Sequence, residues 1–120
     1  MLLAAGNGHT SCCELLINEG ADIQQCGIMK DTPLSRAAHN GHFQTCKFLL
    51  EQGAEVDALD LGDNTPLHWA SMRGHVEIVN LLLLNGADRH RKNKQERMPI
   101  DLCQPIWSNA WRYTKEVLSQ

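Results

Sequence analysis

The sequence predicts an all-α solenoid: about three and a half helix–turn–helix units stacked in one domain, with hairpins projecting from one edge. Three observations predict it. Thr32-Pro33-Leu34 recurs 33 positions later as Thr65-Pro66-Leu67, and the same step carries Gly41-His42 onto Gly74-His75 and Gly53-Ala54 onto Gly86-Ala87. The step runs back to Gly8-His9 and Gly20-Ala21 and on to Met98-Pro99-Ile100, with no insertion or deletion from Leu2 to Cys103. Between these marks the apolar residues follow a helical period. A fixed period of this kind denotes a stack of like units rather than a globule around one core. A chain of 120 residues holds three or four of them, and about three are needed, because one unit cannot bury its apolar face alone.

The units divide at about 1–26, 27–59, 60–92 and 93–120, the last being a degenerate capping unit. Unit one begins inside its first helix, at Leu2-Leu3-Ala4-Ala5, and its second helix carries Cys12, Cys13, Leu15, Leu16 and Ile17. That start, without a polar capping helix, predicts a fragment of a longer chain. In unit two Thr32 precedes Pro33; threonine is a good N-cap and proline is favoured at the first helical position. Gly41 closes that helix, Phe43–Gln52 forms the second, and 54–64 makes a hairpin. Unit three repeats the plan: Pro66–Arg73, a glycine stop at Gly74, Val76–Asn85, Gly86, and a hairpin over 87–97. In unit four Met98–Cys103 starts a helix that Pro105 stops near Gln104. Ser108-Asn109 caps a final helix, about Ala110–Leu118, with Trp107, Trp111, Val117 and Leu118 on its apolar side. These aromatic residues and Tyr113 read either as a cap that seals the array or as an anchor for a partner.

The pattern resembles the ankyrin repeat family. The resemblance is carried by Thr65-Pro66-Leu67-His68-Trp69-Ala70, Gly74-His75, Ile78-Val79, Leu81-Leu82-Leu83 and Gly86-Ala87-Asp88, and it covers about Leu2 to Cys103. It implies L-shaped units, two antiparallel helices with a hairpin at a right angle, stacked into a curved array. It also implies that partners meet the hairpin tips and the first helices, the concave side, and that Trp69 packs between repeats. The chain departs from the family at two places. Lys30, Asp63 and Glu96 stand where a glycine usually precedes the Thr-Pro pair by two residues, and Ser35 and Asp101 stand where the family histidine survives as His68. A positive φ is unfavourable without Gly, Asn or Asp, so the hairpin tips are expected to depart from the usual turn.

Composition narrows the function. The net charge of −3 lacks the basic excess of a dedicated nucleic-acid binder, and no apolar run approaches the ~20 residues of a membrane span. Five cysteines, an odd number without a C-x-x-C pair, read as free thiols in a reducing compartment, hence a cytoplasmic protein, with nucleus or organelle stroma open. His9, His42 and His75 share one repeat position; equivalent positions lie roughly 8–10 Å apart, too far to share an ion held at ~2 Å. They are expected to satisfy local backbone groups, and His68 to brace the turn beside Thr65. No nucleophile–base pair, phosphate loop or calcium loop is present in the sequence. The chain is therefore expected to be neither an enzyme nor a cofactor or metal protein, and to be a monomer that binds another protein rather than a small molecule.

The binding face follows from the phase of the repeat. It comprises Ile28, Met29, Asp31, His39, Asn40, Leu61, Asn64, Met72, Arg73, Lys94 and Arg97, with Gln95 beside them. Ile28, Met29, Leu61 and Met72 are apolar where the repeat plan needs none, which points to a contact patch with an ionic margin. Met29, Leu61 and Met72 are expected to anchor the partner, and Asp31, Arg73 and Arg97 to orient it. Glu55, Asp57, Asp60 and Asp63 make one hairpin acidic, while Arg89, Arg91, Lys92, Lys94 and Arg97 make the next basic. The two hairpins either attract each other across the stack or steer a polarised partner. The sequence thus predicts a non-catalytic protein–protein interaction module serving as an adaptor, targeting subunit or inhibitory scaffold. The alternatives are a regulatory segment of a larger enzyme or channel and, third, a nucleic-acid contact through the basic hairpin 89–97.

Overall fold

The computed structural model describes residues 1–103 and the helix 110–119, the side chains of Ala110 and Trp111 excepted. The elements are α1 (Leu2–Gly6), α2 (Thr10–Asn18), α3 (Pro33–Asn40), α4 (Phe43–Glu51), α5 (Pro66–Arg73), α6 (Val76–Leu84), a 3₁₀ turn (Pro99–Leu102) and α7 (Ala110–Ser119). No strand occurs among the described residues. The molecule is elongated, 40 × 26 × 24 Å, as a linear stack requires.

The first helices of units two and three open on the same device. The Thr32 side chain accepts the Ser35 backbone N–H, while the Ser35 hydroxyl accepts the Thr32 N–H at 2.9 Å. In unit three the Thr65 hydroxyl accepts the His68 N–H, and His68 Nδ1 accepts the Thr65 N–H at 3.1 Å. Ahead of the 3₁₀ turn, Asp101 Oδ2 accepts the Met98 N–H at 2.9 Å. Serine, histidine and aspartate are therefore interchangeable here because each offers an acceptor to the N-cap N–H. The glycine stops have a second reason beyond the left-handed φ of 82° at Gly41. A Cβ there would lie 2.8 Å from the His75 ring, so the next unit packs against bare backbone.

Packing joins like to like. α1, α3 and α5 form one layer, ending on the 3₁₀ turn, while α2, α4, α6 and α7 form the other. The core lies between them: Ala5, Leu34, Ala37, Ala38, Leu67 and Ala70 from the first helices, and Cys13, Cys46, Leu49, Ile78, Val79 and Leu82 from the second. Alanines in the first helices let these axes approach closely. Leu118 of α7 is buried and Val117 packs on the same cluster, so α7 covers the end of the stack; Tyr113 points to solvent. Trp107 and the Trp111 side chain lie outside the described residues. At the other end Leu3, Leu15 and Leu16 are exposed.

Two expectations need correction. Lys30, Asp63 and Glu96 adopt φ of 59°, 58° and 60°, so the hairpin tips keep the left-handed turn despite lacking glycine. Stacking and the hydrogen bonds of each turn hold the residue there against its own steric preference. Where Met98–Cys103 was expected to start a helix, the fourth unit has a 3₁₀ turn over Pro99–Leu102. Its Cys103 is already extended, with ψ 117°.

Candidate functional site

The hairpin tips are built from turns rather than strands. In unit three the Asp60 N–H donates to the Asn64 carbonyl at 3.1 Å, and Asp60 Oδ1 accepts the Gly62 and Asn64 N–H groups, both at 2.9 Å. In unit four Asn93 takes the same place and its Oδ1 accepts from Gln95 and Arg97. Unit two has Gly27 there. A Cβ at Gly27 would lie 2.8 Å from Asp31 Oδ1, a buried oxygen without a hydrogen-bond partner. Asp31 pairs through its other oxygen with the Arg36 guanidinium.

Successive tips are tied by backbone. The Leu61 N–H donates to the Met29 carbonyl and the Lys94 N–H to the Gly62 carbonyl, each at 3.0 Å. Two further bonds join tips three and four: Asn93 Nδ2 to Asn64 Oδ1 at 2.9 Å, and His68 Nε2 to the Arg97 carbonyl at 3.0 Å.

Between the tips of units two and three and the helices beneath them runs an open groove of about 480 Å³. Met29, Asp31, His39, Asn40, Leu61 and Asn64 line it, six of the residues assigned to the binding face from sequence. Met29 is 60% and Leu61 42% exposed. Ile28 stands outside the groove at the tip, 96% exposed. Met72 and Arg73, both half-buried at the end of α5, do not line it. Arg73 reaches toward it, donating from Nη1 to His39 Nε2 at 3.2 Å. Lys94 and Arg97 lie on the neighbouring tip, both exposed.

Ser35, Arg36, Asp60, Gly62 and Trp69 also line the groove, though none was assigned to it from sequence. Trp69 is half-buried and serves two purposes. It packs edge-on against His39, centroids 4.9 Å apart, and its Nε1 donates to Asp60 Oδ2 at 2.9 Å. Arg36 and Trp69 hold one repeat position, and that shared phase was the available signal.

His42 and His75 serve the stack. His42 Nε2 donates to the Gly6 carbonyl and His75 Nε2 to the His39 carbonyl, each at 3.1 Å. These bonds reach the preceding unit, not the local backbone the sequence suggested. Burial lowers the pKa of His75, of His39 (with nearby Arg73 adding to the effect) and of His68. All three are therefore neutral at pH 7, and His68 Nδ1 is free to accept. Among the described residues no three His, Cys, Asp or Glu side chains gather as a metal site. Among them, too, no helix is long and apolar enough to cross a membrane.

A family model described as ankyrin repeats (3 copies) matches residues 1–93. None of the curated proteins matches the chain.

Proposed function

Because the chain belongs to the ankyrin repeat family, whose domains are generally protein–protein interaction modules and typically non-catalytic, we propose that it binds a protein partner along the hairpin tips and first helices. It acts by recognition alone, as an adaptor, targeting subunit or inhibitory scaffold. The single observation that carries this reading is the groove between tips two and three. There Met29 and Leu61 stand exposed beside half-buried Trp69 and the charged pair Asp31–Arg36. Adaptable apolar side chains within a polar margin are the anatomy of a protein contact. Five free cysteines support a cytosolic setting; recovery of a tagged chain from the secretory pathway would exclude it.

The test compares the full chain with the triple variant Met29→Ser, Leu61→Ser, Met72→Ser. A protein captured by the first is purified and its direct affinity for both measured by calorimetry. Loss of about 2 kcal/mol or more, the scale of buried interface anchors, is expected in the variant. Undiminished affinity in a variant that still folds would place the contact elsewhere.

A further inference from the structure

The groove has a counterpart one repeat further on. The 33-residue step carries Met29 to Gly62, Leu61 to Lys94, Asn40 to Arg73 and Asn64 to Arg97. The backbone is the same in both places, since the bond from Leu61 N–H to Met29 recurs from Lys94 N–H to Gly62 at the same 3.0 Å. Only the chemistry changes. Two apolar side chains give way to a lysine and bare backbone, and two amides give way to arginines.

Lys94 and Arg97 of this second position are exposed. Arg91 and Lys92 are exposed as well, Arg91 lining a shallow pocket with Glu55 and Asp57 of the acidic hairpin. Two carboxylates of that hairpin hold N–H donors. Asp57 accepts the Asp88 N–H, and Asp60 accepts from its own turn and from Trp69. The Lys94 and Arg97 end of the basic tip faces solvent.

We infer that the partner presents an acidic segment: one large apolar residue seated between Met29 and Leu61, with Asp or Glu lying over Lys94 and Arg97. This deepens the proposed function and rests on its choice of face. The two positions lie one unit apart, about 10 Å. An extended chain rises ~3.3 Å per residue, so the acid follows or precedes the apolar anchor by about three positions. A nucleic acid fits less well. Its phosphates would meet Glu55 and Asp63 on the adjoining hairpin of a chain with net charge −3, and Met29 and Leu61 would stay uncovered.

Selection of random dodecapeptides displayed on phage, against the immobilised full chain, tests this. Recovered peptides are resynthesised, and their affinities measured by fluorescence anisotropy for three proteins: the chain itself, Met29→Ser/Leu61→Ser, and Lys94→Glu/Arg97→Glu. All four substituted side chains are partly or fully exposed, so folding is expected to survive and is verified by urea unfolding. The expected consensus pairs a large apolar residue with an acid about three positions away. Each pair of substitutions should weaken binding, the charge reversal by about fivefold or more. A consensus without acids, or affinity indifferent to Lys94→Glu/Arg97→Glu, overturns the inference. If such peptides are still lost on Met29→Ser/Leu61→Ser, the proposed face survives without it. Peptides indifferent to both pairs, or no enrichment at all, sink both. A labelled single-stranded oligonucleotide that outcompetes the peptides would overturn the acidic-segment reading in favour of phosphate recognition.

Discussion

Replacing Lys30 and Glu96 by glycine is expected to stabilise the fold. Both side chains are exposed and sit at φ of 59° and 60°. The left-handed region costs an L-residue roughly 1–2 kcal/mol through its Cβ. Glycine escapes that penalty but loses about 0.5–1 kcal/mol more backbone entropy on folding. The difference is a gain of about 0.5–1 kcal/mol at each position. Asp63, at 58°, should gain less, because aspartate tolerates this region better. The sites lie on separate turns, so their effects should nearly add. The triple variant is then about 1–2.5 kcal/mol more stable, a rise of about 4–10 °C in Tm for a domain of this size. Urea unfolding measures it as a higher midpoint at unchanged m. Alanine at the same positions is the control, since it retains the Cβ and should gain nothing. If the glycine variants were no more stable than the alanine variants, backbone strain at the tips would be the wrong account.

His68→Ser keeps an acceptor for the Thr65 N–H, as Ser35 does in unit two, but loses the bond to the Arg97 carbonyl; a cost of about 2 kcal/mol in urea unfolding is expected. Stability should fall as pH drops below about 6.5. His39, His68 and His75 have lowered native pKa values, so the unfolded chain binds more protons between each native value and 6.5, and the urea midpoint should fall there while staying level above pH 7.5. Thiol titration with Ellman's reagent should find exposed Cys12 and Cys26 reacting first. Burial pushes the Cys46 thiol up to about 12 and Cys103 to about 11, so Cys46 should react only on unfolding.

The helices were legible in the sequence because their determinants are local. Thr32-Pro33 and Thr65-Pro66 fix the starts, Gly41 and Gly74 fix the stops, and α3 and α5 begin and end where those residues place them. The tips were misjudged because propensity at Lys30 and Glu96 opposes the turn that stacking enforces. Half of the groove was legible as well. Met29 and Leu61 stand out as apolar residues on a polar edge. Arg36, Asp60 and Trp69 did not, because their place depends on how two units meet: Trp69 enters the groove through its bond to Asp60 and its contact with His39. The shortening of unit four to a 3₁₀ turn had a signal in Pro105, but a proline limits a helix without stating its length.

The tips resemble the teeth of a comb whose roots are fused in the helical core. Among the described residues, teeth three and four are clasped by four bonds: Lys94 N–H to Gly62, Asn93 to Asn64, His68 to Arg97, and Asp88 N–H to Asp57. Teeth two and three share two, Leu61 N–H to Met29 and Glu55 N–H to Gln24 Oε1. Prising apart that pair gives up about 2 kcal/mol, while the gap beside it is held roughly twice as firmly. Compliance is thus placed at the greasy slot and stiffness at the cationic one. Such an edge accommodates visitors of differing bulk while keeping the distance between its charges constant.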